Sequence, residues 1–290
     1  MRSVRAVLFA PGNKERVMTK ALGSGADAVI FDLEDSVPIA GKADARALVA
    51  QAIAGEAVAA AAGSGTAIWV RVNAAATGLL ADDLAAVVRP GLDAVLLPKV
   101  ESVAEVQSVA AVLDRQGAAT EIVLQIESAL GVYACFELIK ASSRVASITI
   151  GTARDGDLQT DLGCAWSIEG PELLYARSKV LLDARAAGIA HPLDGVFSDL
   201  GDEEGLIKDS RLSARLGYVG RTVIHPKQIA PVRQAYAVPE AELAYYRKVV
   251  TEFEAGERAG TAAITVNGKM VDYAMYQRAR RVLALAQLDR

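Results

Sequence analysis

Histidine and cysteine are nearly missing from this chain, with 2 of each among 290 residues. So few exclude a disulfide framework and a Cys/His zinc site, and no C-x-x-C pair occurs. Cys135 and Cys164 therefore point to a reducing compartment. Aromatic residues make up only 5%, and the scattered Trp and Tyr are assigned to core or interface rather than to a stacking platform. Positive charge is not in excess: 31 Lys and Arg stand against 35 Asp and Glu, for a formal charge of −4. This gives no electrostatic reason to expect nucleic acid or an anionic membrane as partner. No apolar run reaches the roughly 18 residues of a membrane span. The stretch "MRSVRAVLFAPG" meets Pro11 too early to form a signal-peptide core. A cytoplasmic protein is expected. Glycine-rich phosphate turns, GxGxxG or GxxxxGK[ST], are absent as well, which argues against a doubly wound nucleotide-binding sheet.

What is present is a recurring short apolar run, bounded by Gly, Pro or charge, at 5–12, 26–35, 66–74, 93–101, 121–128, 146–152, 193–200 and 220–226. Most are continuously apolar rather than alternating, as parallel strands covered on both faces should be. Eight of them, separated by helix-length connections, predict an α/β fold of the (β/α)8 TIM-barrel type over 1–237. The Ala-rich segment 43–63 suits a packed outer helix. Residues 238–290 are extra to the barrel and read as helix, Gly-containing turn, short strand, Asn-Gly turn and helix.

The runs end on charge: Glu34 and Asp35, Arg71 with Asn73, Lys99 with Glu101, Glu127, Asp155 or Asp157, Asp199 with Asp202, and His225. In such barrels the active site lies where strands pass into the following loops, so these groups are expected to converge on one face. Glu127 precedes a helix start and favours the helix dipole, yet beside a second carboxylate it becomes a metal ligand. That second carboxylate is Asp155 or Asp157 in "DGDLQTD", which lacks the Gly and Glu of a calcium loop. One aspartate paired with Glu127 suits Mg²⁺, which takes one or two protein carboxylates. Arg71, inside a strand, needs an anion: a barrel carboxylate in a buried ion pair, or a substrate carboxylate gripped bidentately. Glu34 and Asp35 read as support for the metal's water network or as caps, and His225 as a turn cap. Asp272, between apolar neighbours, reads as a surface residue from pattern alone.

"VLFAPGNKERVMTKALGSGADAVIFDLEDSVP", "VRVNA", "LLPKVE", "IESALGV", "DLQTDLG", "LGYVGRTVIHPKQI" and "NGKMVDYAMYQRAR" resemble, in order, the citrate lyase beta subunit and the malyl-CoA and citramalyl-CoA lyases of the HpcH/HpaI aldolase–citrate lyase superfamily. The resemblance implies a barrel with a C-terminal helical lid extension, Mg²⁺ (with Mn²⁺ as substitute), and a homotrimer or hexamer whose lid reaches a neighbouring subunit's site. It implies Glu127 and Asp157 as metal ligands, Arg71 as the grip on the oxoacid carboxylate, and Asp272 as the acid/base. Arg16 and Lys14 are candidates for the phosphates of CoA or the substrate acid. Glu34, Asp35 and Asp155 would stand behind the metal. The implied activity is reversible Claisen-type cleavage of a 3-hydroxy-3-carboxyacyl-CoA to acetyl-CoA or propionyl-CoA and a 2-oxoacid. The alternatives are a subunit acting on an acyl-carrier-protein thioester and an aldolase acting on free hydroxy-oxoacids. The latter is disfavoured because no histidine precedes His191. An idle regulator on the same barrel is the third. Two departures stand out: Gly151 lies six positions before Asp157, further than in the family's G-x-x-D pattern, which adds "ARD" and Arg154, and Tyr273-Ala274 follows Asp272 where Pro is usual.

Overall fold

The computed structural model describes residues 4–261 and 263–286. Eight parallel strands close into a barrel in chain order: β1 (Ala6–Pro11), β2 (Ala28–Asp32), β3 (Ala67–Arg71), β4 (Ala94–Leu97), β5 (Glu121–Ile126), β6 (Val145–Ile150), β7 (Leu193–Asp194) and β8 (Gly220–Val223). Closure is made by β8 pairing with β1, Ala6 opposite Arg221 and Leu8 opposite Val223. Strands such as "AVIFD" of β2 and "AVLL" of β4 are buried along their whole length, because helices cover the outside while side chains fill the barrel. The TIM-barrel expectation is thereby met, with every apolar run contributing a strand.

Local chemistry sets the helix ends. Ser102 and Glu105 form a reciprocal capping box at the start of Val103–Arg115. Helix Pro171–Ala187 opens with Pro at its first turn and stops at Gly188, whose φ of 96° few other residues accept. The Ala-rich stretch forms two helices, Lys42–Ile53 and Glu56–Gly63, broken at Ala54-Gly55. Among the described residues no single helix is long and apolar enough to cross a membrane.

The run at 193–200 is the one that shrinks, since only Leu193 and Asp194 pair. Beyond them the chain passes so close to β6 that a Cβ on Gly195 would lie 2.1 Å from the Ile150 carbonyl oxygen and 2.8 Å from the Thr152 nitrogen. Both obstacles are backbone, so the strands must separate to admit a methyl group. Gly195→Ala is therefore expected to cost about 1–3 kcal/mol, seen as a lower thermal midpoint.

Buried charges brace this part of the barrel. Asp209, on helix Glu203–Leu216, sits 2.8 Å from Nη2 of both Arg177 and Arg221, and Arg177 also meets Asp194 at 3.1 Å. Arg221 donates its Nε–H to the Gly195 carbonyl at 2.9 Å and from Nη1 to Ser210 Oγ at 2.9 Å. Asp194 accepts from the Gly195 N–H and from Thr152 Oγ1. Two cations and two carboxylates thus balance out of contact with water.

The chain divides into two compact units, the first ending at Tyr236 and the second starting at Ala237. The second contains helix Glu240–Arg258, strands β9 (Ile264–Val266) and β10 (Lys269–Val271), and helix Tyr273–Ala286. The antiparallel β9–β10 hairpin turns at Asn267-Gly268 with φ of 48° and 74°, the left-handed pair that a two-residue turn requires. Phe253, Val266, Val271 and Tyr276 form its own apolar cluster, with the Phe253 and Tyr276 rings stacked at 4.7 Å.

Candidate active site

A cavity of about 460 Å³ opens at the C-terminal ends of the strands, lined among others by Phe9, Arg71, Gln125, Glu127, Gly151 and Asp157. Its anchor is Arg71, the last residue of β3. Arg71 donates Nε–H and Nη2–H to the two oxygens of Asp32, at 2.6 and 2.8 Å, and Nη1 lies 3.0 Å from Glu34 Oε2. The guanidinium also lies over the Phe9 ring, 4.8 Å from its centre. Burial works against its charge, but Asp32 and then Glu34 outweigh that and fix Arg71 as a cation. Burial likewise opposes ionisation of Asp32, and the Arg71 guanidinium overrides it and holds the carboxyl below the usual range.

Glu127 follows β5 and is 4% exposed. Its Oε1 accepts the Lys99 backbone N–H at 2.9 Å and its Oε2 the Gln125 amide at 2.5 Å. Burial, reinforced by the nearby Glu34 charge, pushes its carboxyl up to about 7. Burial raises Glu34 too, against the pull of Arg71 and Lys99. Lys99, in a left-handed conformation with φ of 49°, brings its ammonium 2.7 Å from Glu34, 3.3 Å from Asp35 and 3.4 Å from Asp157. Burial opposes its charge and the Glu34 hydrogen bond outweighs burial, so its pKa rises.

Five carboxylates (Asp32, Glu34, Asp35, Glu127 and Asp157) thus face two cations, Arg71 and Lys99. Burial is what chiefly lifts Glu127 and Glu34, neighbouring negative charge adds to it, and a bound divalent cation would complement that excess. Among the described residues no three His, Cys, Asp or Glu side chains gather closely enough to enclose a metal. A hard divalent ion that keeps water or substrate oxygens needs no such enclosure. Gln125 adds a buried Oε1 with no hydrogen-bond partner among the described residues. Gly151 is obligatory here, because its Cβ would lie 2.7 Å from Glu127 Cβ. The donor set fits Mg²⁺.

The residues singled out from sequence separate into groups. Arg71, Asp35, Glu127 and Asp157 line the cavity, and Glu34 joins them through Arg71 and Lys99. Asp157 opens helix Asp157–Leu162, whereas Asp155 is exposed, with φ of 58°, and is not part of the lining. Arg16 and Lys14 are exposed and line no part of it. Asp161 accepts the Ala129 N–H, Asn73 is tied to Asp83, and Asp202 caps helix Glu203–Leu216. His225 accepts the Lys227 N–H through Nδ1, a turn cap. Asp272, in the second unit, is exposed and caps helix Tyr273–Ala286 by accepting the Met275 N–H at 2.9 Å. Sequence reasoning missed Asp32 and Gln125. Asp32 had a signal, being the last residue of an apolar strand beside a strand that ends in Arg71.

An acid-rich cavity anchored by a buried arginine, at the C-terminal face of a parallel (β/α)8 barrel, is where a TIM-barrel enzyme carries its active site. Residues 5–226 match the HpcH/HpaI aldolase/citrate lyase family model, and 174–289 match that of a C-C bond lyase of the TIM-barrel fold. The chain belongs to the HpcH/HpaI aldolase/citrate lyase family. It is 37% identical to the citrate lyase subunit beta of Leuconostoc mesenteroides subsp. cremoris, over 98% of this chain and 94% of that protein. It is 34% identical to a (3S)-malyl-CoA thioesterase of Cereibacter sphaeroides, over 98% and 94%. CitE from Mycobacterium tuberculosis, solved in complex with magnesium, acetoacetate and coenzyme A, superposes with a TM-score of 0.77 at 30% identity and 98% coverage of each chain.

Proposed function

We propose that the protein is a Mg²⁺-dependent CoA-ester lyase that cleaves a 3-hydroxy-3-carboxyacyl-CoA of the malyl, citramalyl or citryl type to acetyl-CoA or propionyl-CoA and a 2-oxoacid. The observation that carries this reading is the pairing of Glu127 and Asp157 with Arg71 around one cavity. Glu127 and Asp157 would hold the ion, which when bound supplies Lewis-acid stabilisation of charge on the substrate hydroxyl oxygen. Asp32 takes the Nε and Nη2 edge of the Arg71 guanidinium and Glu34 lies against Nη1, which leaves one N–H donor each on Nη1 and Nη2. Those donors orient the carboxylate on the carbinol carbon. Loss of the hydroxyl proton to solvent water then turns that carbon into the ketone of the 2-oxoacid as the adjacent C–C bond breaks. The bonding pair stays on the thioester fragment as an enolate, which Asp272 of a neighbouring copy in a trimer or hexamer protonates. Hydrolysis of the thioester is a second reading, supported by the 34% identical malyl-CoA thioesterase.

A panel of malyl-, citramalyl-, methylmalyl- and citryl-CoA with Mg²⁺ tests this, following the 2-oxoacid and the free hydroxyacid separately. One ester should release 2-oxoacid, and EDTA or Glu127→Ala should abolish both Mg²⁺ binding and turnover. Release of the hydroxyacid alone would favour the thioesterase. Silence of all four esters with Mg²⁺ still bound would favour a carrier-protein thioester or a free-acid aldolase.

A further inference from the structure

We propose that Arg154, laid on Trp166 at the rim of the cavity, binds a second anionic group of the substrate, beyond the carboxylate taken by Arg71. This rests on the lyase reading and names a specificity residue for it. The loop after β6 carries Arg154 between Ala153 and Gly156, both of which line the cavity, while exposed Arg154 and the Trp166 ring beneath it lie just outside the lining. The guanidinium carbon lies 4.5 Å from the centre of the Trp166 ring. Although Asp155 and Asp157 flank it in sequence, Arg154 forms no ion pair with a described residue. An arginine stacked on a ring is held by its face, so the N–H donors around its edge stay open to a planar anion.

The platform under it is fixed rather than adventitious. Trp166 donates its indole N–H to the Thr152 carbonyl at 3.3 Å and meets Phe197 edge-on at 6.2 Å. The Phe197 carbonyl in turn accepts the Gln228 amide at 2.9 Å, and Thr152 Oγ1 donates to Asp194 at 3.0 Å. Loops following three strands therefore converge to hold one ring. Asp155, with φ of 58°, spends backbone energy to turn the chain between Arg154 and Asp157. The expectation that both Trp belong to the core holds for buried Trp69 and for half-buried Trp166, which packs against the barrel's apolar cluster on one side and carries Arg154 on its ring.

Size says what reaches the rim. A cavity of about 460 Å³ is in the range of one small ligand, enough for the acyl part of a thioester, so the carrier must leave over the edge. The anion at Arg154 is thus a phosphate of that carrier or an additional carboxylate on the acyl chain, both of which match a guanidinium fork.

The full-length protein and its Arg154→Ala, Arg154→Lys and Trp166→Phe variants distinguish these sources. Kinetics would compare each CoA ester with the same acyl group on N-acetylcysteamine, which has no phosphate, and malyl with citryl esters. Arg154→Ala should raise KM about ten- to a hundredfold, the worth of a hydrogen-bonded charge, with kcat within about twofold of wild type. Lysine should restore only part of it and Trp166→Phe should have a smaller effect. An effect that vanishes on the phosphate-free esters assigns the phosphate, and one confined to citryl esters assigns the carboxylate. Calorimetric titration of CoA and of citrate into wild type and Arg154→Ala gives a readout free of turnover. If no ester is cleaved yet Arg154→Ala weakens either titration, the lyase reading fails and the anion site stands. Unchanged KM on every ester together with unchanged titrations overturns the proposal.

Discussion

Asp272→Asn is expected to lower kcat about 10²- to 10⁴-fold, the span of a lost general acid, while leaving thermal stability where it was. The two halves of this result come from the two oxygens of one carboxylate. Oδ1 accepts the Met275 N–H at the start of helix Tyr273–Ala286, and an asparagine caps a helix as well as an aspartate. The amide cannot carry the proton that an enolate needs. Asp272→Ala removes cap and acid together and should add about 1 kcal/mol of destabilisation. The check is thermal midpoints beside steady-state rates, with deuterium uptake by acetyl-CoA from D₂O as the direct reading of proton transfer. An asparagine variant that turns over normally, or still exchanges deuterium, would remove Asp272 from the mechanism.

The second large effect is on stability. Asp209→Asn should cost about 3–5 kcal/mol, and because the first unit is large this amounts to a fall in midpoint of about 10 °C. The amide leaves Arg177 and Arg221, both buried, with Asp194 as the remaining carboxylate of the network. Removing a cation at the same time, in Asp209→Asn/Arg221→Met, should recover part of the loss, a non-additivity that marks the charge imbalance itself. The pH profile follows from the same contacts. Burial opposes ionisation of Asp209, but Arg221 and Arg177 outweigh it and hold its pKa below the unfolded value. Its contribution is then complete above about pH 4 and disappears as pH falls through the lowered folded pKa. The midpoint of Asp209→Asn should therefore vary less across that acid range than the wild-type midpoint does. Parallel curves would show that Asp209 is not the group responsible.

How much of this was legible depended on whether the signal was local. Buried parallel strands read as uninterrupted apolar runs, so all eight stood out, and Asn267-Gly268 read as a turn, but the exposed three-residue strand Lys269–Val271 that follows it and makes it a hairpin did not. Strand ends did not: the run at 93–101 outlasts β4, which stops at Leu97, and 193–200 looks like a strand although Gly195 lies too close to the Ile150 carbonyl to carry a Cβ. Arg71 stood between a buried ion pair and a substrate grip. The fold gives it Asp32, which meets the ion-pair reading, and places it on the cavity wall, so the proposed substrate grip falls to the N–H donors that Asp32 leaves. The Arg177, Asp194, Asp209 and Arg221 set was invisible, because its partners come from four separate elements and share no spacing.

The shortness of β7 has a further consequence. Its register holds one residue pair with β6, Thr149 opposite Leu193, and two with β8, Leu193 opposite Gly220 and Asp194 opposite Arg221. Elsewhere in the barrel neighbouring strands share three to five such pairs. The ring is therefore zipped unevenly, and along one seam side-chain charge does what ladder hydrogen bonds do around the rest. Amide exchange into D₂O would expose that seam as the place where the barrel breathes first, and loosening a single carboxylate there would unlatch a circle whose other joints remain shut.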